Sequence, residues 1–286
     1  MNSDSLGEQR IGLLHGHQDK GGECSDAPPR AKRFQVNDEA MVYVNGKILI
    51  IAREFRNRQQ GYPPFRRLVF GLFDINTYKW SSHEPFTVLW SAMNPDSCNS
   101  RFTGINATLE IISLIDPKSG KPVILLFHNE FRNSMITGLS FDGKDLNLHS
   151  DYPTRKIFSK RDRDAVYGQR VLFDNGIYYM HVNAGSGSTK LRKDWPDRFQ
   201  LFTALDPYQS TWTESRENSN KVRPYFTRGE EMDPDNAAIW QGTMFKFRNR
   251  YYMYYGNYHS INNRDNAYDL YDEAHSGSRV GYATAN

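Results

Sequence analysis

Residues 243–259 read TMFKFRNRYYMYYGNYH. Two short aromatic-rich runs flank the polar hinge Arg248-Asn249-Arg250, the pattern of two antiparallel strands joined by a tight turn. After a polar loop, Arg279-Val280-Gly281-Tyr282-Ala283-Thr284 reads as a third strand. The same three-part phrase occurs three more times upstream. In the first unit Ala40–Val44 leads through Asn45-Gly46-Lys47 to Ile48–Ala52, with Leu68–Phe73 as third strand and Trp80 opening a fourth. Asn-Gly between two apolar runs is the strongest short hairpin signal. The second unit runs Thr108–Ile115, turns at Asp116–Gly120, returns as Val123–His128 and continues as Met135–Phe141. The third has Gln169–Phe173, the Asp174-Asn175-Gly176 turn, Ile177–Val182, Phe199–Leu205 and then Trp212.

Two literal echoes mark these as repeats. Glu54-Phe55-Arg56-Asn57 recurs as Glu130-Phe131-Arg132-Asn133, each after a second strand. Likewise Phe73–Trp80 (FDINTYKW) parallels Ala204–Trp212 (ALDPYQSTW). Four-stranded units at a regular spacing predict an all-β propeller; the alternative is a two-sheet β-sandwich. Residues 1–33 are polar and Gly-rich and read as an N-terminal extension or ring-closing segment, with 34–286 as the propeller domain. The fourth unit stops after its third strand, so it is either cut short or completed by the N-terminal segment. Only Asn266–His275 offers a short helical pattern.

Bulk properties narrow the function classes. The chain has 286 residues, 14% aromatics and a mean hydropathy of −0.72, which fits sheets with polar, ring-lined surfaces. A net charge of +3, scattered without any basic run of five, argues against nucleic acid as partner, and Arg30–Arg33 reads as a solvated linker. No apolar run of membrane-spanning length occurs, so no membrane partner is expected. The start shows no signal peptide. Cys24 and Cys98 could pair or stay reduced and do not fix the compartment. Gly185-Ser186-Gly187-Ser188 lacks the context of a phosphate cradle, and the sequon Asn106-Ala107-Thr108 falls where a ligand funnel is expected.

The phrase made of NGKILII, NGIYYMHV, RNRYYMYY, VGYATA and the YKW and STW tails resembles the five-bladed β-propeller glycoside hydrolases. That superfamily contains the family 43 arabinosidases and xylosidases, the family 32 invertases and the family 117 anhydrogalactosidases. The resemblance covers residues 36–286 and implies a five-bladed propeller with four repeats visible here. It implies a glycosidase acting on a plant, algal or microbial polysaccharide or oligosaccharide by an inverting mechanism, with carboxylates in a central funnel. Such a role favours a secreted or periplasmic protein. In a propeller the innermost strands start at the ligand-entry rim and the second strands end there. By position Asp38 is the expected base, Asp164 the helper or acid, and Glu231 an acid that could swing in from its loop. Glu39, Asn106, His128, Asp235, Asn236 and His259 are the expected sugar contacts. For Glu39 and Asp235 a turn-capping role is the competing reading, and Glu54 and Glu130 read as local ion-pair partners. The resemblance makes a funnel Ca²⁺ possible without any Asp-rich loop demanding it, and no cofactor is required. No Asp-Pro opens the first unit and no Glu-Gly-Pro occurs, which keeps a non-catalytic carbohydrate-binding propeller as the alternative.

Overall fold

The computed structural model describes residues 35–56, 65–80, 84–85, 109–130, 133–159, 167–184, 198–215, 226–227, 238–260 and 276–285. Among them every regular element is a strand. The first sheet holds β1 (Gln35–Val44), β2 (Lys47–Arg56), β3 (Phe65–Asp74), β4 (Lys79–Trp80) and β5 (Glu84–Pro85). The second holds β6 (Glu110–Ile115), β7 (Pro122–Glu130), β8 (Asn133–Phe141), β9 (Leu146–Leu148) and β10 (Arg155–Ser159). The third holds β11 (Tyr167–Asp174), β12 (Ile177–Ala184), β13 (Arg198–Ala204), β14 (Thr213–Glu214) and β15 (Phe226–Thr227). The fourth holds β16 (Ala238–Phe247), β17 (Arg250–Ser260) and β18 (Ser276–Ala285). Four separate antiparallel sheets replace the two-sheet alternative. In each of the first three, two short strands pair with the third long one: β4 and β5 with β3, β9 and β10 with β8, β14 and β15 with β13. Residues 1–33, both cysteines and Asn266–His275 lie outside the described residues.

Local chemistry explains the repetition. Three of the four inner hairpins close through two-residue turns with both residues at positive φ: Asn45 (49°) and Gly46 (78°), Asn175 (51°) and Gly176 (80°), Arg248 (48°) and Asn249 (60°). That is the type I′ geometry, whose twist matches the flanking strands. The end of the third strand repeats in atomic detail. Asp74 Oδ1 accepts the backbone N–H groups of Asn76 (2.8 Å) and Thr77 (3.1 Å). Asp142 Oδ1 accepts those of Lys144 (2.9 Å) and Asp145 (2.7 Å), and Asp206 Oδ1 those of Tyr208 (2.8 Å) and Gln209 (2.6 Å). A short acceptor side chain here turns the chain without leaving donors unpaired.

The chain divides into two compact units, residues 1–131 with 136–155 and residues 132–135 with 156–286. In the first, the inward residues of β1–β3 and β6–β8 form one core, with Leu49, Ile51, Ile124, Leu126 and Leu139 fully buried. Each such side chain contributes roughly 1.5–3 kcal/mol by leaving water. Around the loop after β6, Asp116 accepts hydrogen bonds from Ser119 Oγ and from Tyr152 Oη (3.2 Å). The Ser119 hydroxyl bond, with the Ser119 and Lys118 amides, holds the Asp116 carboxyl down at about 2. Lys118 pairs with Asp151 at 2.8 Å on the surface. Gly138 of β8 is obligatory for packing, since a methyl group built there would stand 2.1 Å from Tyr152 Cβ.

In the second unit Phe199, Ile239, Met253 and Tyr255 form the core between the third and fourth sheets. Asp174, at the tip of the β11–β12 hairpin, receives Lys246 Nζ on both oxygens (2.9 Å each) and Tyr251 Oη on Oδ2 (2.5 Å). These bonds, the lysine's foremost, hold its carboxyl below the usual range. The opposite face of the fourth sheet carries a ladder of rings. Phe245 stacks on Tyr252 (5.2 Å, 11°) and Tyr254 (5.9 Å, 15°), and Tyr282 follows on the next strand.

Gly281 on β18 faces Tyr255, whose ring a methyl group on Gly281 would meet at 2.2 Å. Gly281→Ala is expected to lower stability by about 1–3 kcal/mol, read as a fall in the urea midpoint. Asp174 has a depressed pKa in the fold, so its contribution is present above the ordinary aspartate range and is lost as pH falls through the folded value. Asp174→Asn should therefore lower the melting temperature at pH 7, and the gap between variant and parent should narrow as pH falls below the ordinary aspartate range; a gap independent of pH would contradict the ion pair.

Candidate functional site

The inner strands share one irregularity. On β1, Asn37 lies opposite Arg53 and Ala40 opposite Ile51, so β1 carries one extra residue between them. On β11, Tyr167 lies opposite Asn183 and Arg170 opposite His181; on β16, Trp240 lies opposite Gly256 and Thr243 opposite Tyr254. Counted from each turn, the three bulges fall at the same rung. They contain Asp38-Glu39, Gly168-Gln169 and Gln241-Gly242. A bulge bends its strand and re-aims the side chains there, which is why bulges gather beside functional sites.

This register gives the strand positions of those expected site residues that fall among the described ones. Asp38 and Glu39 occupy the bulge of β1. Asn106, Asp164, Glu231, Asp235 and Asn236 lie outside the described residues. The rung-mates of Asp38 are Gly168 and Gln241, so Asp164 and Asp235 stand four and six residues ahead of the equivalent rung. The sequence matched strand starts by their apolar runs, whereas hairpin geometry counts from the turn. His259 lies on β17 opposite Gly277. It is the tenth residue of β17 and His128 the seventh of β7, so the two are not equivalent strand ends.

His128 is fully buried, and its Nε2 lies 3.0 Å from Thr137 Oγ1, which in turn lies 2.9 Å from Oγ1 of the exposed Thr154. Desolvation pulls its imidazole down to about 4, so the ring is neutral near pH 7. Its full burial leaves the ring no exposed surface.

The second unit gathers buried polar groups that sequence reading passed over. His181 of β12, fully buried, lies with Nε2 2.9 Å from the carbonyl oxygen of Gly242 in the β16 bulge. It rests on the Phe199 ring at 5.1 Å. Burial lowers its imidazole to about 4. Gly242 is closely overlaid, since a methyl group there would come 3.2 Å from both His181 Nε2 and Phe199 Cζ. In the β11 bulge Gln169 Nε2 donates to Ser134 Oγ at 2.6 Å, and both side chains are buried. A glycine just ahead of a polar residue in Tyr167-Gly168-Gln169 was the one available signal for this site.

In chemical terms the neutral histidines can hold hydrogen bonds but no proton to donate near pH 7. Of the bulge residues, Asp38 and Glu39 are the carboxylic ones. Among the described residues no group of three or more His, Cys, Asp or Glu side chains converges. No helix among them is long and apolar enough to cross a membrane.

No family model matches the chain, and no curated protein is similar to it in sequence. Solved structures share its fold. An exo-1,5-alpha-L-arabinanase from a bovine ruminal metagenomic library aligns with a TM-score of 0.54 at 13% identity, over 87% of this chain and 73% of that one. The Cellvibrio cellulosa alpha-L-arabinanase gives 0.54 at 11%, over 89% and 77%. The Lactobacillus brevis alpha-L-arabinofuranosidase gives 0.53 at 13%, over 86% and 71%. The chain thus has an all-β fold of antiparallel sheets, and its structural neighbours are β-propeller glycoside hydrolases. At these identities the likeness is one of fold alone.

Both buried imidazoles are expected to keep neutral-form shifts down to pH 5 in a histidine-selective NMR titration. Because their folded pKa values are depressed, the unfolded chain takes up protons first, and stability should fall as pH drops from about 6.5 toward 4. A midpoint above 6 for either ring would contradict its burial.

Proposed function

We propose that this protein is a glycoside hydrolase built on a five-bladed β-propeller and cleaving a polysaccharide or oligosaccharide with inversion. The observation that carries the reading is the acidic pair Asp38-Glu39 at a bulge repeated at one rung of three inner hairpins, in a fold whose solved counterparts hydrolyse glycosides. Asp38 is the base that activates water, Asp164 the helper or acid, and Glu231 the competing acid. Glu39, Asn106, Asp235, Asn236 and His259 are the proposed sugar contacts, and His128 supports them from behind. Inversion needs one protonated and one ionised carboxyl on opposite faces of the sugar, about 6.5–9.5 Å apart. Arabinan and arabinofuranosides head the substrate panel because the neighbours act on them; the role favours a secreted or periplasmic setting.

A second reading has its own support. The rung-mates of the acidic pair, Gly168-Gln169 and Gln241-Gly242, are uncharged, which suits a carbohydrate-binding propeller without catalysis. Release of reducing sugar from arabinan, xylan and mannan panels separates the two. On the hydrolase reading Asp38→Asn and Asp164→Asn each lower kcat by about 10²–10⁴-fold with glycan binding retained. Binding without turnover by the unmodified protein on every panel supports the lectin-like reading instead.

A further inference from the structure

The β11 bulge concentrates buried polar atoms that the protein itself does not satisfy. Gly168 sits at φ +73°, and a methyl group on it would stand 2.5 Å from Asn183 Nδ2, so the glycine makes room for the Asn183 carboxamide. Asn183 is fully buried, yet neither its Oδ1 nor its Nδ2 meets a protein partner. Gln169, the next bulge residue, gives its amide to Ser134 and leaves Oε1 unpaired. His181 lies two residues before Asn183 on the same strand face. With Nε2–H directed at the Gly242 carbonyl, its Nδ1 is a bare lone pair, also unpaired.

The inventory is lopsided: three acceptors (Gln169 Oε1, Asn183 Oδ1, His181 Nδ1) against one donor group, Asn183 Nδ2. Each unpaired buried group of this kind is unfavourable by about 1–3 kcal/mol, so a native fold does not keep four of them in one neighbourhood bare. The complement to a surplus of neutral acceptors is a small neutral donor that can also accept once. The charged neighbour, Arg170, donates to the Gln169 carbonyl oxygen at 3.0 Å, and burial penalises an added ion, so a neutral ligand is the better match.

We propose that the bulge of β11 is an internal hydration site, in which ordered water bridges Asn183, Gln169 and His181 and fixes the start of the third sheet's inner strand. Water donates to the amide oxygens and to His181 Nδ1 and accepts from Asn183 Nδ2, so every group gains a partner. Oxygen-17 relaxation dispersion on the full chain counts such long-lived waters. The amplitude is expected to drop in Asn183→Leu by at least the increment of one internal water, with a cooperative unfolding transition showing that the variant folds. Gln169→Met, which removes one acceptor while keeping side-chain length, is the second variant and should show a smaller drop. Amplitudes equal to the parent's in both variants overturn the proposal. So does a crystal structure with Asn183 Oδ1 and Nδ2 both bound to protein groups.

Discussion

A two-residue turn with both φ angles positive leaves an antiparallel pair only one comfortable register. Asn45-Gly46, Asn175-Gly176 and Arg248-Asn249 impose this on three inner hairpins. Once register is fixed at the turn, one extra residue seven positions back must fall at the same rung in all three. The placement of Asp38-Glu39, Gly168-Gln169 and Gln241-Gly242 therefore follows from turn chemistry. A slip by one residue would exchange the buried face for the solvent face along the whole strand, and the apolar alternation of Leu49 and Ile51 opposes such a slip.

Most of the scaffold was legible because its determinants are local. Asn-Gly pairs, alternating apolar runs and the Tyr-Tyr-Met-Tyr-Tyr run each specify a hairpin without reference to distant residues, and the strands fell where those signals put them. Even the echo between FDINTYKW and ALDPYQSTW has a physical basis in Asp74 and Asp206, which make the same two main-chain contacts. Asp142 does likewise, although its segment was not matched to the other two by letters alone.

The site was less legible, for a physical reason. Acids were read from where apolar runs begin, but a bulge adds a residue with no compositional mark, so the rung that Asp38 shares with Gly168 and Gln241 was not visible in the letters. The buried groups were harder still. His181 sits in Tyr-Tyr-Met-His-Val, where alternation states which face it takes but not what lies beyond. Its partner, the Gly242 carbonyl, is 61 residues away in sequence. Interactions of that range are set by packing of sheet on sheet, about which a single strand's letters are silent.

The aspartate turns that close the third strands bear on how this protein meets acid. Main-chain amides hold Asp74 and Asp142 below the ordinary carboxylate range, and both lie at the protein's margin. Their protonation needs strong acid and releases a local turn rather than the core, so each such corner frays on its own. Two fully buried imidazoles act on the whole fold in milder acid, because the unfolded chain takes up their protons first.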